Sequence, residues 1–177
     1  MEFSLSYSRS QTQKANRGLL LSLIFLSISG CGSGQEKPKF FSELVPTTGR
    51  VTLDGKPLIG ANVTFIPEQG EKDTRMASAV TKGSGEFELI TPIANTSPED
   101  SKGIAPGKYK VLISKFLMPD GSTIPADTME ADAMALGAKE SLPAIYSNFE
   151  QSKLTAQVDK VSGKATNIDF DLVVKKK

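Results

Sequence analysis

Apolar residues recur at every second position along one stretch of this chain after another, a period that suits pleated strands and does not suit helices. The pattern is clearest from Gly49 to Pro67, GRVTLDGKPLIGANVTFIP. Val51 and Leu53, then Ala61, Val63 and Phe65, share one face, while Thr52, Asn62 and Thr64 take the other. Asp54-Gly55 between the two runs is a turn signal, because glycine accepts positive φ without a steric penalty. Pro57 and Gly60 keep the linker from extending either strand. The stretch predicts strand, turn, strand.

The same grammar continues downstream. Met76, Ser78 and Val80 occupy alternate positions before the turn Lys82-Gly83-Ser84-Gly85, and Phe87 and Leu89 alternate with Glu86 and Glu88. One apolar and one charged face is the mark of a sheet solvated on one side, so the two glutamates read as exposed strand residues rather than an acid-base pair. After the polar loop from Thr91 to Gly103, Pro106-Gly107 opens a strand in which Tyr109, Val111 and Ile113 share a face. Leu154, Ala156 and Val158, then Ile168, Phe170 and Leu172, form two closing strands. Seven strands with turn signals between them predict an all-β, Greek-key, seven-stranded β-sandwich with long loops.

The segment from Pro119 to Pro143 departs from the pattern. Asp127-Thr-Met-Glu130 has the form of an N-cap with an acid three residues on, and Met129, Ala133 and Leu136 are at helical spacing before Gly137. A short helix near 127–137 is expected. Its acids Asp127, Glu130 and Asp132 lack the glycine and distal acid of a calcium loop and read as a solvated face.

Composition removes several function classes. The 177 residues include no histidine and one cysteine, so histidine-dependent catalysis, histidine-ligated metal sites, intramolecular disulfides and thiolate zinc clusters are all excluded. Lysine and arginine total 21 against 20 acids, which gives no field suited to nucleic acid. Ser114 and Lys115 are adjacent strand positions that point to opposite faces and cannot form a serine-lysine pair. No catalytic residue, cofactor site or metal site is expected.

The position of the one cysteine matters more than its number. Arg9, Lys14 and Arg17 precede the apolar run Leu19 to Ile28, which has the length of a secretory core region and is short for a bilayer span. The run ends in Ile28-Ser29-Gly30-Cys31, which resembles the bacterial lipobox: an aliphatic residue, two small residues, and the cysteine that is lipidated. The resemblance implies cleavage between Gly30 and Cys31, acylation of the Cys31 thiol and residence on a lipid bilayer, with the outer membrane as destination because no aspartate follows Cys31. An ordinary signal peptide with a chance cysteine is the competing reading. Cleavage leaves 18 basic and 19 acidic side chains, so attachment would rest on the acyl chains. Residues 1–30 are then a signal peptide, 31–45 a lipidated cysteine and polar tether, and 46–175 the sandwich domain.

Two further groups of residues carry a family resemblance. Gly49-x-Val51-x-Leu53-Asp-Gly55-Lys-Pro57-Leu-x-Gly60-Ala-x-Val63-x-Phe65-x-Pro67, with Thr81-x-x-x-Gly85-x-Phe87-x-Leu89 and Pro106-Gly107-x-Tyr109-x-Val111, resembles the carboxypeptidase regulatory-like, transthyretin-like domain. Together with the lipobox and the tail from Leu142-Pro-x-x-Tyr146 to Leu154-Thr155, it is similar to small lipoproteins of planctomycete-type bacteria. Lys82 stands where the family usually has an aspartate. The resemblance implies an accessory, non-catalytic sandwich. Two functions stay open: a surface module that contacts another envelope protein or serves a structural role, and a module that captures a small ligand or polysaccharide. Tyr109 and Tyr146, the only tyrosines after the leader, read as core residues rather than sugar platforms.

Labelling cells with an alkyne palmitate analogue should tag the protein, and Cys31→Ser should abolish the label and leave an uncleaved precursor. Normal processing of the serine variant would instead identify an ordinary signal peptide.

Overall fold

The computed structural model describes residues 43–125, 127–160 and 164–174. Gly30, Cys31 and the leader lie outside the described residues. The chain is an all-β sandwich. In order, its elements are β1 (Thr47–Leu53), β2 (Lys56–Pro57), β3 (Asn62–Pro67), β4 (Ala77–Val80), β5 (Glu86–Glu88), a 3-10 turn (Glu99–Ser101), β6 (Gly107–Ser114), β7 (Phe116–Leu117), α1 (Glu130–Ala135), β8 (Lys139–Glu140), α2 (Ala144–Ser147), β9 (Thr155–Val158), β10 (Thr166–Asn167) and β11 (Phe170–Leu172).

β1 is the centre of one sheet. Strands β10 and β11 run parallel to it on one side, and β2 and β5 run antiparallel to it on the other. The facing sheet has the order β4-β3-β6-β9, antiparallel throughout. The two sheets are joined along one side, where Ser78 and Ile90 exchange both main-chain hydrogen bonds at 3.0 Å. Among the described residues no helix is long and apolar enough to cross a membrane.

Alternation sends one side chain in two into the space between the sheets. Val51 from β1, Val63 and Phe65 from β3, and Tyr109, Val111 and Ile113 from β6 are completely buried, with Phe87, Phe170 and Leu172 nearly so. Four aromatic rings meet there. The Phe65 ring lies 6.0 Å from Tyr109, 6.1 Å from Phe170 and 6.4 Å from Phe87, tilted or edge-on to each. Such contacts contribute about 0.5 to 1.5 kcal/mol each beyond the area they bury. Tyr109 satisfies its one polar atom inside this core by donating from Oη to the Ala105 carbonyl at 2.6 Å. Burial pushes its phenol well above the usual tyrosine range.

The structure corrects several expectations drawn from the sequence. The stretch from Gly49 to Pro67 is not one hairpin. Asp54 and Gly55, at φ of 50° and 75°, turn β1 back onto the two-residue β2, and the chain then crosses to the other sheet before β3 begins. The crossing is sealed by Leu58, which is buried, and by Gly60 N–H donating to the Thr81 carbonyl at 2.9 Å. Among the described residues seven strands of three or more residues are accompanied by four two-residue strands: β2 and β10 pair with β1, and β7 pairs with β8. In β4 the phase is the reverse of the apolar pattern: Ala77 is fully buried, whereas Met76 and Val80 are 52% and 53% exposed. Small alanine side chains suit the inward positions of an edge strand that bends toward the opposite sheet.

The helix near 127–137 is present as α1, but Asp127 does not cap it; Met129 occupies the N-cap with no side-chain hydrogen bond. Its end is as expected. Gly137, at φ 94°, donates to the Met134 carbonyl at 3.0 Å, and Ala138 donates to the Ala133 carbonyl at 2.9 Å, the paired bonds of a Schellman stop. The helix is flanked by the paired β7 and β8, so this segment is a small excursion from the sandwich rather than an open loop. Helix α2 has no counterpart in the sequence reading. The turn at Lys82 closes through the main chain, where Lys82 and Glu86 exchange hydrogen bonds at 2.8 Å and 3.0 Å.

Phe87→Ala and Phe170→Ala should each destabilise the domain by about 3 to 5 kcal/mol, against a total stability for such domains of about 5 to 15 kcal/mol. Denaturant unfolding followed by circular dichroism measures this, and losses below about 1 kcal/mol would contradict the aromatic packing described here.

Candidate functional site

Where the two sheets join, their outward side chains border an open groove of about 1130 Å³. One wall is the solvated face of β1 and β5, carrying Thr48, Arg50, Glu86 and Glu88, and the other carries Asn62 of β3 with Ser78 and Val80 of β4. Ile90 and Pro92 add apolar surface to the lining, and Asn167 and Asp169 add hydrogen-bonding groups beside β1.

The floor is shaped by a glycine. A Cβ at Gly49 would collide with the Ile168 carbonyl oxygen and would stand 2.6 Å from the tip of the Phe87 ring. The absence of a side chain therefore lets the C-terminal strand and the core aromatic approach β1 closely. Between β10 and β11 the ladder is carried partly by a side chain. Ile168 N–H donates to the Thr48 carbonyl at 2.9 Å, but the next donor of β1, Arg50 N–H, finds the Asp169 carboxylate at 2.8 Å. Asn167 Nδ2 donates to the same oxygen at 3.1 Å.

Electrostatics in the groove are local and solvated. The Arg50 guanidinium lies 3.0 Å from Glu86 Oε1, and Ser84 Oγ donates to that oxygen at 3.0 Å. The Ser84 hydrogen bond and then Arg50 hold the Glu86 carboxyl below its ordinary range. Lys102 bridges Glu99 at 2.8 Å and Glu88 at 3.2 Å, which raise its ammonium pKa in that order. Both sets of charges are solvated, so these pairs add little to stability.

None of the residues singled out for chemistry in the sequence converges here. Asp127, Glu130 and Asp132 are exposed on or beside α1, and no cluster of three or more potential metal ligands exists among the described residues. Lys115 donates its main-chain N–H to Glu140 Oε1 at 3.0 Å and accepts Ser141 Oγ on its carbonyl at 2.6 Å, a structural arrangement. Tyr109 belongs to the core, and Tyr146 packs against its edge. The sequence reading placed Asn62, Ser78, Val80, Glu86 and Glu88 on strands but did not bring them to one site. Arg50 and Asp169 are 119 positions apart, and only the parallel pairing of β1 with the C-terminal strands brings them together.

No family model and no curated protein matches this chain. Among solved structures, a 9R-lipoxygenase from Cyanothece PCC8801 aligns with 78% of it at 15% identity and a TM-score of 0.33. The aligned part amounts to 17% of the lipoxygenase.

The Glu86 carboxyl should titrate below an unperturbed glutamate in a pH series of carboxyl-detected NMR spectra, and both Ser84→Ala and Arg50→Ala should move it back upward. A carboxyl depressed in the folded state contributes stability above its unfolded pKa and loses it as pH falls through the folded value, so this contribution should vanish on acidification.

Proposed function

We propose that this chain is a membrane-anchored lipoprotein of the bacterial cell envelope, held at the outer membrane by acylated Cys31, whose non-catalytic β-sandwich docks another envelope protein in the groove beside β4 and β5. The observation that carries the docking reading is the side-by-side chemistry of that groove. Val80, half exposed, stands with Ile90 and Pro92 next to the Arg50 and Glu86 pair, and a polypeptide surface offers both the apolar and the ionic complements. The basic and apolar leader ending in Ile28-Ser29-Gly30-Cys31 supports the anchor, and the sandwich fold agrees with the resemblance to the carboxypeptidase regulatory-like domain.

The second reading is capture of a small ligand or polysaccharide for a partner enzyme. Convergence of Asn62, Ser78 and Asn167 on the same groove favours it, since fixed hydrogen-bonding groups recognise hydroxyl-rich ligands. The one aromatic ring at the groove, Phe87, is only 4% exposed and offers no stacking platform.

Affinity purification from detergent-solubilised envelopes discriminates the two. Val80→Asp should reduce recovery of the partner by at least about tenfold, the cost of losing one interface anchor, with the unfolding temperature unchanged. Retention of the partner by this variant, together with glycan binding that Asn167→Ala removes, would replace the first reading by the second.

A further inference from the structure

The sheet that meets the groove at β4 ends on its other side at β9. Among the described residues β9 pairs only with β6. The register shows where the rest of its main chain points. Val111 N–H donates to the Leu154 carbonyl at 2.9 Å, and bonded pairs alternate along an antiparallel ladder, so Tyr109 with Ala156 and Gly107 with Val158 are the bonded pairs of β6 and β9. Thr155 and Gln157 therefore aim N–H and C=O away from the sheet, and both residues are exposed. Such an edge is a template for one more strand.

We propose that the β9 edge pairs with the β9 edge of a second copy of this chain, antiparallel about a two-fold axis at Ala156, so that the four-stranded sheets of the two copies become one continuous sheet. Charge at the ends of β9 selects this occupant and this register. Lys153 precedes the strand and Asp159 follows it, both exposed. Gln157 Nε2 donates to Asp159 Oδ1 at 3.2 Å, which places the carboxylate beside the outward side chains. Centring the pair on Ala156 sets Thr155 opposite Gln157 of the second copy, bonded through the main chain, and sets Lys153 opposite Asp159 of the second copy at both ends. Centring it on Thr155 or on Gln157 also satisfies the main chain, but neither register pairs Lys153 with Asp159. A lysine beside an edge usually deters a further strand, whereas here it meets an acid. The inward face agrees. Ala156 meets its own copy at the axis, where a non-bonded pair brings Cα atoms to about 4.5 Å and a small side chain is needed, and the partly buried Leu154 is covered by Val158 of the second copy. The contact is self-complementary, as a two-fold interface must be. It depends neither on the groove, which lies at the opposite edge of the sheet, nor on the lipid anchor.

Sedimentation equilibrium of the full chain in density-matched detergent should show monomer and dimer in exchange with a Kd on the order of 100 µM, because a short edge buries less area than a tight interface. Lys153→Asp and Asp159→Lys should each weaken the dimer by about tenfold, as attraction turns to repulsion at both ends. The two variants mixed together, and the double variant alone, should associate as the parent does. Gln157→Pro, which removes an N–H that serves no bond within the sheet, should abolish the dimer with the unfolding temperature unchanged; the charge variants decide the matter should it fail to fold. In cells, a photo-crosslinking residue at position 157 should capture a second copy. A chain that stays monomeric at about 1 mM, a dimer indifferent to charge reversal, a dimer lost in Val80→Asp, or capture at position 157 of another protein instead of a second copy overturns the proposal.

Discussion

Phe65 touches aromatic rings from both sheets, and the sandwich is organised by that contact. Tyr109 reaches it from the neighbouring strand of its own sheet, whereas Phe87 and Phe170 arrive from β5 and β11 of the sheet opposite. Phe87 and Phe170 are themselves stacked at 6.3 Å. Rings of this size fix the separation of the two sheets, because an interior packed at crystal-like density leaves no slack for them to shift. The close approach of Phe87 and Ile168 to Gly49 follows from the same packing, so the groove floor is an outer consequence of an inner contact.

That link from core to surface gives the groove its preorganisation. Strand β1 runs through both: Val51 points into the aromatic core, and its neighbour Arg50 points out to Glu86. The Asp169 carboxylate fills a place in the ladder that a main-chain carbonyl would otherwise occupy, which fixes a charged group at the groove wall by the strand pairing itself. A docking or capturing surface built this way loses little freedom when it is occupied, the condition under which modest contacts give useful affinity.

Period-two alternation made the core readable in the sequence, since a sheet solvated on one face writes its inside and outside into alternate letters. Val63, Phe65, Tyr109, Val111 and Phe170 could be placed in this way. What alternation does not carry is the partner of each strand. Val51 and Val63 look like two arms of one hairpin, yet they belong to opposite sheets, because a buried Leu58 turns the connection across the core. Edge strand β4 inverted its apparent phase because its larger apolar residues, Met76 and Val80, face solvent while alanines face inward. The groove depended on pairings between positions more than a hundred residues apart, and Tyr146 takes both of its hydrogen-bond partners from a strand end that no local pattern connects to it. Non-local closure leaves no trace in a window of neighbouring residues.

The parallel pairing of β1 with β10 and β11 also bears on how the domain carries force. Tension applied to the chain ahead of Thr47 is loaded along β1, the first strand of the described residues. β1 is not an edge strand that could be peeled away one bond at a time. It has neighbours on both sides, and the parallel pair runs from Thr47 with Thr166 to Leu53 with Leu172. Tension along its axis must therefore shear many hydrogen bonds together, and the strand that receives the load is also the one whose side chains Val51 and Arg50 join the core to the groove. Resistance to tension and the link between core and groove come from the same seven residues.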